Sequence, residues 1–235
     1  MADLKASVEV VGEAWKKSAY YADAEQWTFI FWDADQPFRP FFDRLDLRAV
    51  LELACGHGRH SEIVASKSSS LTLMDIHPEN LDSCRARLAG SGNVRFLTNS
   101  GYDFAPVEDG SLSAIFCYDA MVHFSPDLIA SYLVDAARVL KPGGRALFHH
   151  SNRDADPDVH YGQNLQARNR MTLARFAELA DQAGLMVMDA RPIDWAGIAE
   201  LDGLTLVRKP RIHHRVLRSL RGLFASRSEK APRRT

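Results

Sequence analysis

The sequence predicts an α/β fold built from repeated βαβ units on a largely parallel sheet. Three observations predict it. From Ala49 onward short apolar runs alternate with amphipathic helical patterns. The turn signals Asp109-Gly110-Ser111 and Lys141-Pro142-Gly143-Gly144 fall just before two of the apolar runs. The 235 residues, 46% apolar and 25% charged, suit one domain with a substantial core.

In chain order, strands are expected near 49–54, 70–75, 93–98, 113–118 and 144–149, where the runs are short and apolar. Helices are expected near 59–67, 78–89, 127–140 and 171–183. Ala183-Gly184 stops the last of these, and the runs 185–190 and 204–208 are strand-like extensions of one sheet edge. Residues 8–42 are dense in aromatic side chains, including Trp15, Tyr20, Tyr21, Trp27, Phe29 and Phe31. They form either a helical flap packed on the sheet or, in part, the lining of a pocket.

Residues 208–235 hold ten Lys/Arg against the single acid Glu229, a local charge of +9, and the remainder of the chain carries −10. Within 211–224 the apolar residues recur at spacings of three and four with arginines opposite, the pattern of a basic amphipathic helix. Such a helix lies on an anionic membrane surface, docks a protein partner or packs on the acidic body; nucleic acid is disfavoured. The final segment from Ser226 is expected to be disordered. The organisation read from this is a flap at 1–44, a central domain at 45–208 and a basic tail at 209–235. No run approaches a membrane-spanning length and the first residues lack a secretion signal, so the expected location is the cytoplasm, with the tail as a means of attachment to the inner membrane surface. Cys55, Cys84 and Cys117 have neither disulfide-framework nor zinc-ligand spacing, and no metal site is expected.

The chemistry is carried by Ala49-Val50-Leu51-Glu52-Leu53-Ala54-Cys55-Gly56-His57-Gly58-Arg59-His60-Ser61, a buried strand running into a glycine turn that opens a helix. Glycine there lets a ligand lie against the main chain. Nineteen residues beyond Gly56 the second strand ends in Asp75, a carboxylate able to accept the hydroxyls of a ribose. A dinucleotide turn usually has a third glycine, here Ser61, and Glu52 beneath the turn would repel a pyrophosphate. The same carboxylate suits an amino group and a sulfonium, the charges of S-adenosylmethionine.

At this point the residues resemble a known family. Residues 50–58 look like the first motif of the class I S-adenosylmethionine-dependent methyltransferases, residues 73–76 like the second, and Val139-Leu140-Lys141-Pro142-Gly143-Gly144-Arg145 like the segment before the fifth strand. Ala183-Gly184-Leu185 fits the segment before the sixth, so the resemblance spans roughly 45–208. It implies a Rossmann-like seven-stranded sheet, mostly parallel with one antiparallel edge strand and helices on both faces. It also implies that Glu52, Ala54, Gly56 and Gly58 face the methionine half of the cofactor, Asp75 the ribose and Ile76 the adenine, with Tyr118 nearby. Relatives often place an acid after the third strand, but this chain has Ser100-Gly101-Tyr102 there. Either those residues supply the adenine contacts or Asp103 does.

Methyl transfer needs alignment of the acceptor with the methyl group and exclusion of water. For a hydroxyl acceptor a histidine is the usual base. The carboxyl ends of the fourth and fifth strands offer Asp119, His123, His149, His150, Asn152 and Arg153. Alternation lets one of His149 and His150 face the site, and His150, nearer the strand end, is preferred. His123 serves equally well as a packing residue. His57 and His60 are expected on the helix surface and His77 exposed, and His160-Tyr161 either cover the acceptor or form an uncommitted loop. By the same resemblance, relatives that methylate exocyclic amines of nucleobases or glutamine carry an Asn/Asp-Pro-Pro-aromatic motif after the fourth strand, where this chain reads Tyr118-Asp119-Ala120-Met121, which argues against amine methylation of that kind. The acceptor expected is a hydroxyl of a sugar, glycan or other small molecule, with nitrogen and carbon left open. The rival readings are a cofactor-binding partner or scaffold without turnover and, third, a nicotinamide oxidoreductase.

Overall fold

The computed structural model describes residues 2–154 and 168–211. A seven-stranded sheet comprises β1 (Val50–Leu53), β2 (Leu71–Asp75), β3 (Val94–Thr98), β4 (Leu112–Cys117), β5 (Leu140–Ser151), β6 (Met186–Trp195) and β7 (Ile198–Arg208). Its order is β3-β2-β1-β4-β5-β7-β6. Strands β1 to β5 pair in parallel, while β7 runs antiparallel between β5 and the outermost strand β6. This is the expected fold class. The chain winds outward from β1 to β3 and resumes on the other side of β1 with β4, so β1 and β4 flank the switch point at which open α/β sheets bind ligands.

The main helices are α5 (Ser61–Lys67), α6 (Pro78–Arg87), α7 (Pro126–Val139) and α8 (Leu173–Gln182). Residues 2–42 form α1 (Ala2–Trp15), α2 (Tyr20–Asp23), α3 (Phe29–Trp32) and α4 (Arg39–Phe42), with a 3-10 turn at Ala24–Trp27. Ser125 and Thr172 cap α7 and α8 by accepting hydrogen bonds from the Leu128 and Arg175 amides.

Strand alternation divides the core into two layers. Leu51, Leu53, Ile115, Ala146 and Phe148 meet α7 and α8 through Tyr132, Leu133 and Phe176. Val50, Leu73, Phe116, Leu147 and Leu206 meet Val64, Leu81 and the aromatic cluster Phe31, Phe38, Phe41 and Phe42. Much of the aromatic stretch is therefore a flap packed on the sheet. Phe176 is fully buried and stacks on His150 with ring centroids 4.0 Å apart. Phe176→Ala is expected to lower stability by about 3–5 kcal/mol, read as a reduced midpoint of chemical denaturation.

At the far edge β6 and β7 run well past the predicted segments. Ala196 and Gly197, both at positive φ (50° and 78°), make the tight turn of a long hairpin whose last pair is Trp195 with Ile198. Among the described residues no helix is long and apolar enough to cross a membrane. The tail reading at 211–224 falls, from residue 212 on, outside the described residues, as does the His160-Tyr161 reading.

Candidate active site

The site grows from the end of β1. Glu52 is buried in the sheet with a carboxyl oxygen 2.6 Å from the Ser61 hydroxyl, which donates to it. Burial pushes the Glu52 carboxyl up to about 8, so it is largely protonated at neutral pH. The residue in the third-glycine position thus serves to satisfy the acid beneath the turn. The chain then turns through Ala54 (φ 55°) and Gly56 (φ 54°). A side chain at Gly56 would put its first carbon 2.8 Å from the Tyr21 ring, so the close approach as well as the angle demands glycine.

Asp75, at the end of β2, ties this turn to its neighbours. One carboxylate oxygen accepts from the Gly56 amide at 3.0 Å; the other accepts from the His77 amide at 2.9 Å and the Asn80 amide group at 3.1 Å. Burial raises the Asp75 carboxyl above its ordinary value, against the lowering effect of these bonds. A carboxylate has about four lone-pair directions, so three donors leave it able to accept one more.

Helix α1 roofs this region. Val8 packs on Gly101 (φ 87°), where any side chain would collide with it, and the Gly12 carbonyl lies 3.0 Å from His77 Nε2. Beneath the roof is a cavity lined by Glu52, Ala54, Gly56, Asp75, Ile76, Gly101 and Tyr118 of the residues expected from sequence. Gly58, Ser100 and Tyr102 lie outside that lining. Gly58 is set back against Cys84, the Ser100 hydroxyl donates to Asp103, and the Tyr102 carbonyl accepts from Ser131. The loop therefore offers the cavity Gly101 and, beside it, Asn99.

A second cavity adjoins the first. Trp27, Phe29 and Ile30 of the flap wall it on one side, and Arg168 with Asp194, Trp195 and Ala196 on the other. The two cavities share Trp15, Tyr20, Arg59, Tyr118, Asp119 and His123. Within that common wall the Tyr20 hydroxyl donates to Asp119 Oδ2, and Arg59 reaches the same oxygen at 3.4 Å and the Ala24 carbonyl at 2.7 Å.

The histidines sort differently from the sequence reading. His150 is corrected: it faces the α8 side, its ring against Phe176, with Nδ1 2.7 Å from the Ser151 carbonyl and Nε2 2.8 Å from the Thr205 hydroxyl. Burial pushes it down to about 4, and it borders neither cavity. His149 faces the flap side, behind Tyr118, yet both its nitrogens are engaged. Nδ1 accepts from the Asp119 amide at 3.1 Å, which leaves the proton on Nε2 to be donated to Asp202 at 3.1 Å. Asp202 also receives two hydrogen bonds from the buried Arg168 guanidinium, at 2.9 and 3.0 Å. Burial acts to raise the Asp202 carboxyl, but His149 and Arg168 outweigh it and hold the group below its ordinary value. His123 borders both cavities, its ring 4.9 Å from that of Trp15.

His60 was expected on a helix surface and is instead 3% exposed, stacked on Phe31 with ring centroids 4.4 Å apart. Burial holds it well below its ordinary value, hence neutral. His57 is half-buried against the Tyr21 ring, and His77, expected exposed, is half-buried under α1. Sequence reasoning passed over Tyr20, Arg59 and His60. The signal available was polar residues flanking a glycine turn beside an aromatic stretch.

Both ring nitrogens of His60 and the Trp15 indole nitrogen are buried without a hydrogen-bond partner, and both residues border the first cavity. Orphaned polar atoms of this kind cost about 1–3 kcal/mol each unless a ligand pairs them. With a buried acid beneath a glycine turn and an acid at the end of β2, they fit a nucleoside carrying an amino acid and a positive charge. Among the described residues no cluster of metal-ligating side chains occurs.

A methyltransferase domain family matches residues 50–144. The ubiquinone biosynthesis O-methyltransferase of Xanthomonas oryzae pv. oryzae is 33% identical over 148 residues, covering 57% of this chain and 59% of the relative. The enzyme of the same name from Thiobacillus denitrificans is 29% identical over 181 residues, covering 66% and 77%. The match thus spans less than two thirds of the length of the Xanthomonas relative. The geranyl diphosphate C-methyltransferase of Streptomyces coelicolor A3(2), solved with S-adenosyl-L-homocysteine, superposes with a TM-score of 0.64 over 86% of this chain and 97% of that one, at 12% identity. The matched domain, the strand order and the acid-flanked glycine turn agree with the resemblance to the class I S-adenosylmethionine-dependent methyltransferases.

Proposed function

We propose that the chain transfers the methyl group of S-adenosylmethionine to a hydroxyl oxygen of a small molecule. The observation that carries this reading is the pair of adjoining cavities with a common wall, one bordered by the glycine turn and two acids, the other by aromatic rings. S-adenosylmethionine, when bound, supplies an electrophilic methyl group on a positively charged sulfur. Glu52, Ala54, Gly56 and Asp75 would hold its methionine and ribose portions, and Ile76 with Gly101 its adenine. Tyr118 would close the inner end, with Trp15 and His60 supplying polar contacts.

Trp27, Phe29, Tyr118 and Trp195 would clasp a ring-shaped acceptor, since flat apolar faces orient a ring and exclude water. The relatives named as ubiquinone biosynthesis O-methyltransferases favour oxygen as the acceptor atom. A sugar or glycan hydroxyl falls within the same reading, because aromatic walls also receive sugar faces. Residues 1–44 act here as the roof over both cavities and 45–208 as the catalytic domain.

Calorimetry should show S-adenosylhomocysteine binding and no binding of NAD. Isotope-labelled methyl from S-adenosylmethionine should then appear on members of a panel of catechols, simple phenols and sugars. Binding of NAD in place of S-adenosylhomocysteine would overturn the reading; binding without transfer to any panel member would leave the scaffold alternative as the better account.

A further inference from the structure

We infer that Asp119 is the group that receives the acceptor's hydroxyl, and its proton, and that His149 with Asp202 is a positioning pair for it. The inference rests on the methyltransferase reading above and assigns its acceptor-side chemistry.

Four observations support it. Asp119 borders both cavities, so it lies where donor and acceptor must meet. Its side chain is 8% exposed, and its carboxylate accepts on Oδ2, from Tyr20 and Arg59; among the described residues Oδ1 has no partner. Its backbone is left-handed at φ 56°, a conformation that costs a non-glycine residue energy and persists only where the surroundings enforce it. The enforcement is visible: Arg168 grips Asp202, Asp202 accepts from His149, and His149 accepts the Asp119 amide. A rigid relay thus aims a carboxylate that Arg59 keeps charge-balanced, with one oxygen unspent.

The chemistry follows. An acceptor O–H donates to Oδ1; as the O–H bond breaks, the proton passes to the carboxylate and the oxygen's electron pair forms the bond to the methyl carbon. The electrons of the donor's carbon–sulfur bond go to sulfur, so atoms and charge balance. His149 and His150 are not needed as bases, which agrees with the engagement of the first and the burial of the second.

The test uses the full chain, saturated with S-adenosylhomocysteine, and titrates 4-nitrocatechol as a chromophoric hydroxyl probe. The wild type is expected to bind it saturably. Asp119→Asn should bind it about 10- to 100-fold more weakly, the loss of a hydrogen bond to a charged group, while its affinity for S-adenosylhomocysteine by calorimetry stays within about threefold. Asp119→Glu keeps the ion pair but displaces the oxygens, and serves as the second variant if the first does not fold; a loss of about fivefold or more is expected. His149→Phe, which removes the relay, should weaken the probe but not S-adenosylhomocysteine, and His149→Gln, which can still accept the amide, should restore part of the difference. Equal probe affinity in wild type and Asp119 variants, or no saturable probe binding by wild type, overturns the inference. Failure of wild type to bind S-adenosylhomocysteine overturns instead the reading on which it rests.

Discussion

Asp75→Ala is expected to weaken S-adenosylhomocysteine binding by roughly 100-fold or more and to lower stability by about 3 kcal/mol, because one carboxylate holds the glycine turn and faces the cavity proposed for the cofactor. Its removal strands the Gly56 and His77 amides and takes from the Asn80 side chain one of its two acceptors, the other being the Tyr21 hydroxyl. Hydrogen bonds to a charged group are worth about 1.5–3 kcal/mol each, and an unsatisfied buried donor costs a comparable amount. Asp75→Asn retains the shape and one accepting oxygen, so it should fall between wild type and Asp75→Ala in both measurements. Calorimetric affinity and denaturation midpoints read the two effects separately. If Asp75→Ala kept wild-type affinity, the turn would not be the cofactor's seat.

The second large effect is a pH dependence centred on Glu52. In the fold its carboxyl sits at about 8, against an ordinary value of 4.5, because burial disfavours the charged form. The folded chain therefore holds a proton that the unfolded chain releases. This contribution to stability is complete below about pH 4.5 and is lost as pH rises toward 8, at up to about 1.4 kcal/mol per pH unit. Glu52→Gln, which cannot ionise, should flatten that part of the stability profile. A positive ligand in the cavity reverses the preference and favours the carboxylate. Binding of S-adenosylmethionine between about pH 6 and 7 should then release up to about one proton, and about half of one at about pH 8. Calorimetry in buffers of different ionisation enthalpy counts that proton. No release from wild type, or the same release from Glu52→Gln, would show that the acid does not face the cofactor's charge.

The legible parts of the site were those made by neighbours in sequence or by adjacent parallel strands. Residues 50–58 and Asp75 meet because β1 and β2 lie side by side in register, with Leu53 opposite Met74, so a turn after one strand and an acid at the end of the next must converge. The β3 side of the cavity was half legible. The loop after β3 was identified, but a single residue, Gly101, faces the cavity while its two neighbours turn away, and loop conformation at that scale depends on the α1 helix crossing above it. Nearness to the strand end misled the choice between His149 and His150. Alternation placed His149 with Leu147 on the flap face and His150 with Phe148 against α8, so side of sheet, not distance along the strand, decided which one approached the site.

The sequence by itself determined the α/β winding, the glycine turn and the two acids around it, because these follow from local periodicity and turn chemistry. Only the tertiary structure decided what lines the wall between the two cavities. Tyr20, Arg59 and Asp119 are separated by 39 and 60 residues yet converge on one carboxylate oxygen, and His60 is buried by a phenylalanine from the flap. Such contacts arise when an apolar flap closes on a sheet to remove aromatic surface from water, and the polar groups it encloses are chosen by the packing of the whole molecule.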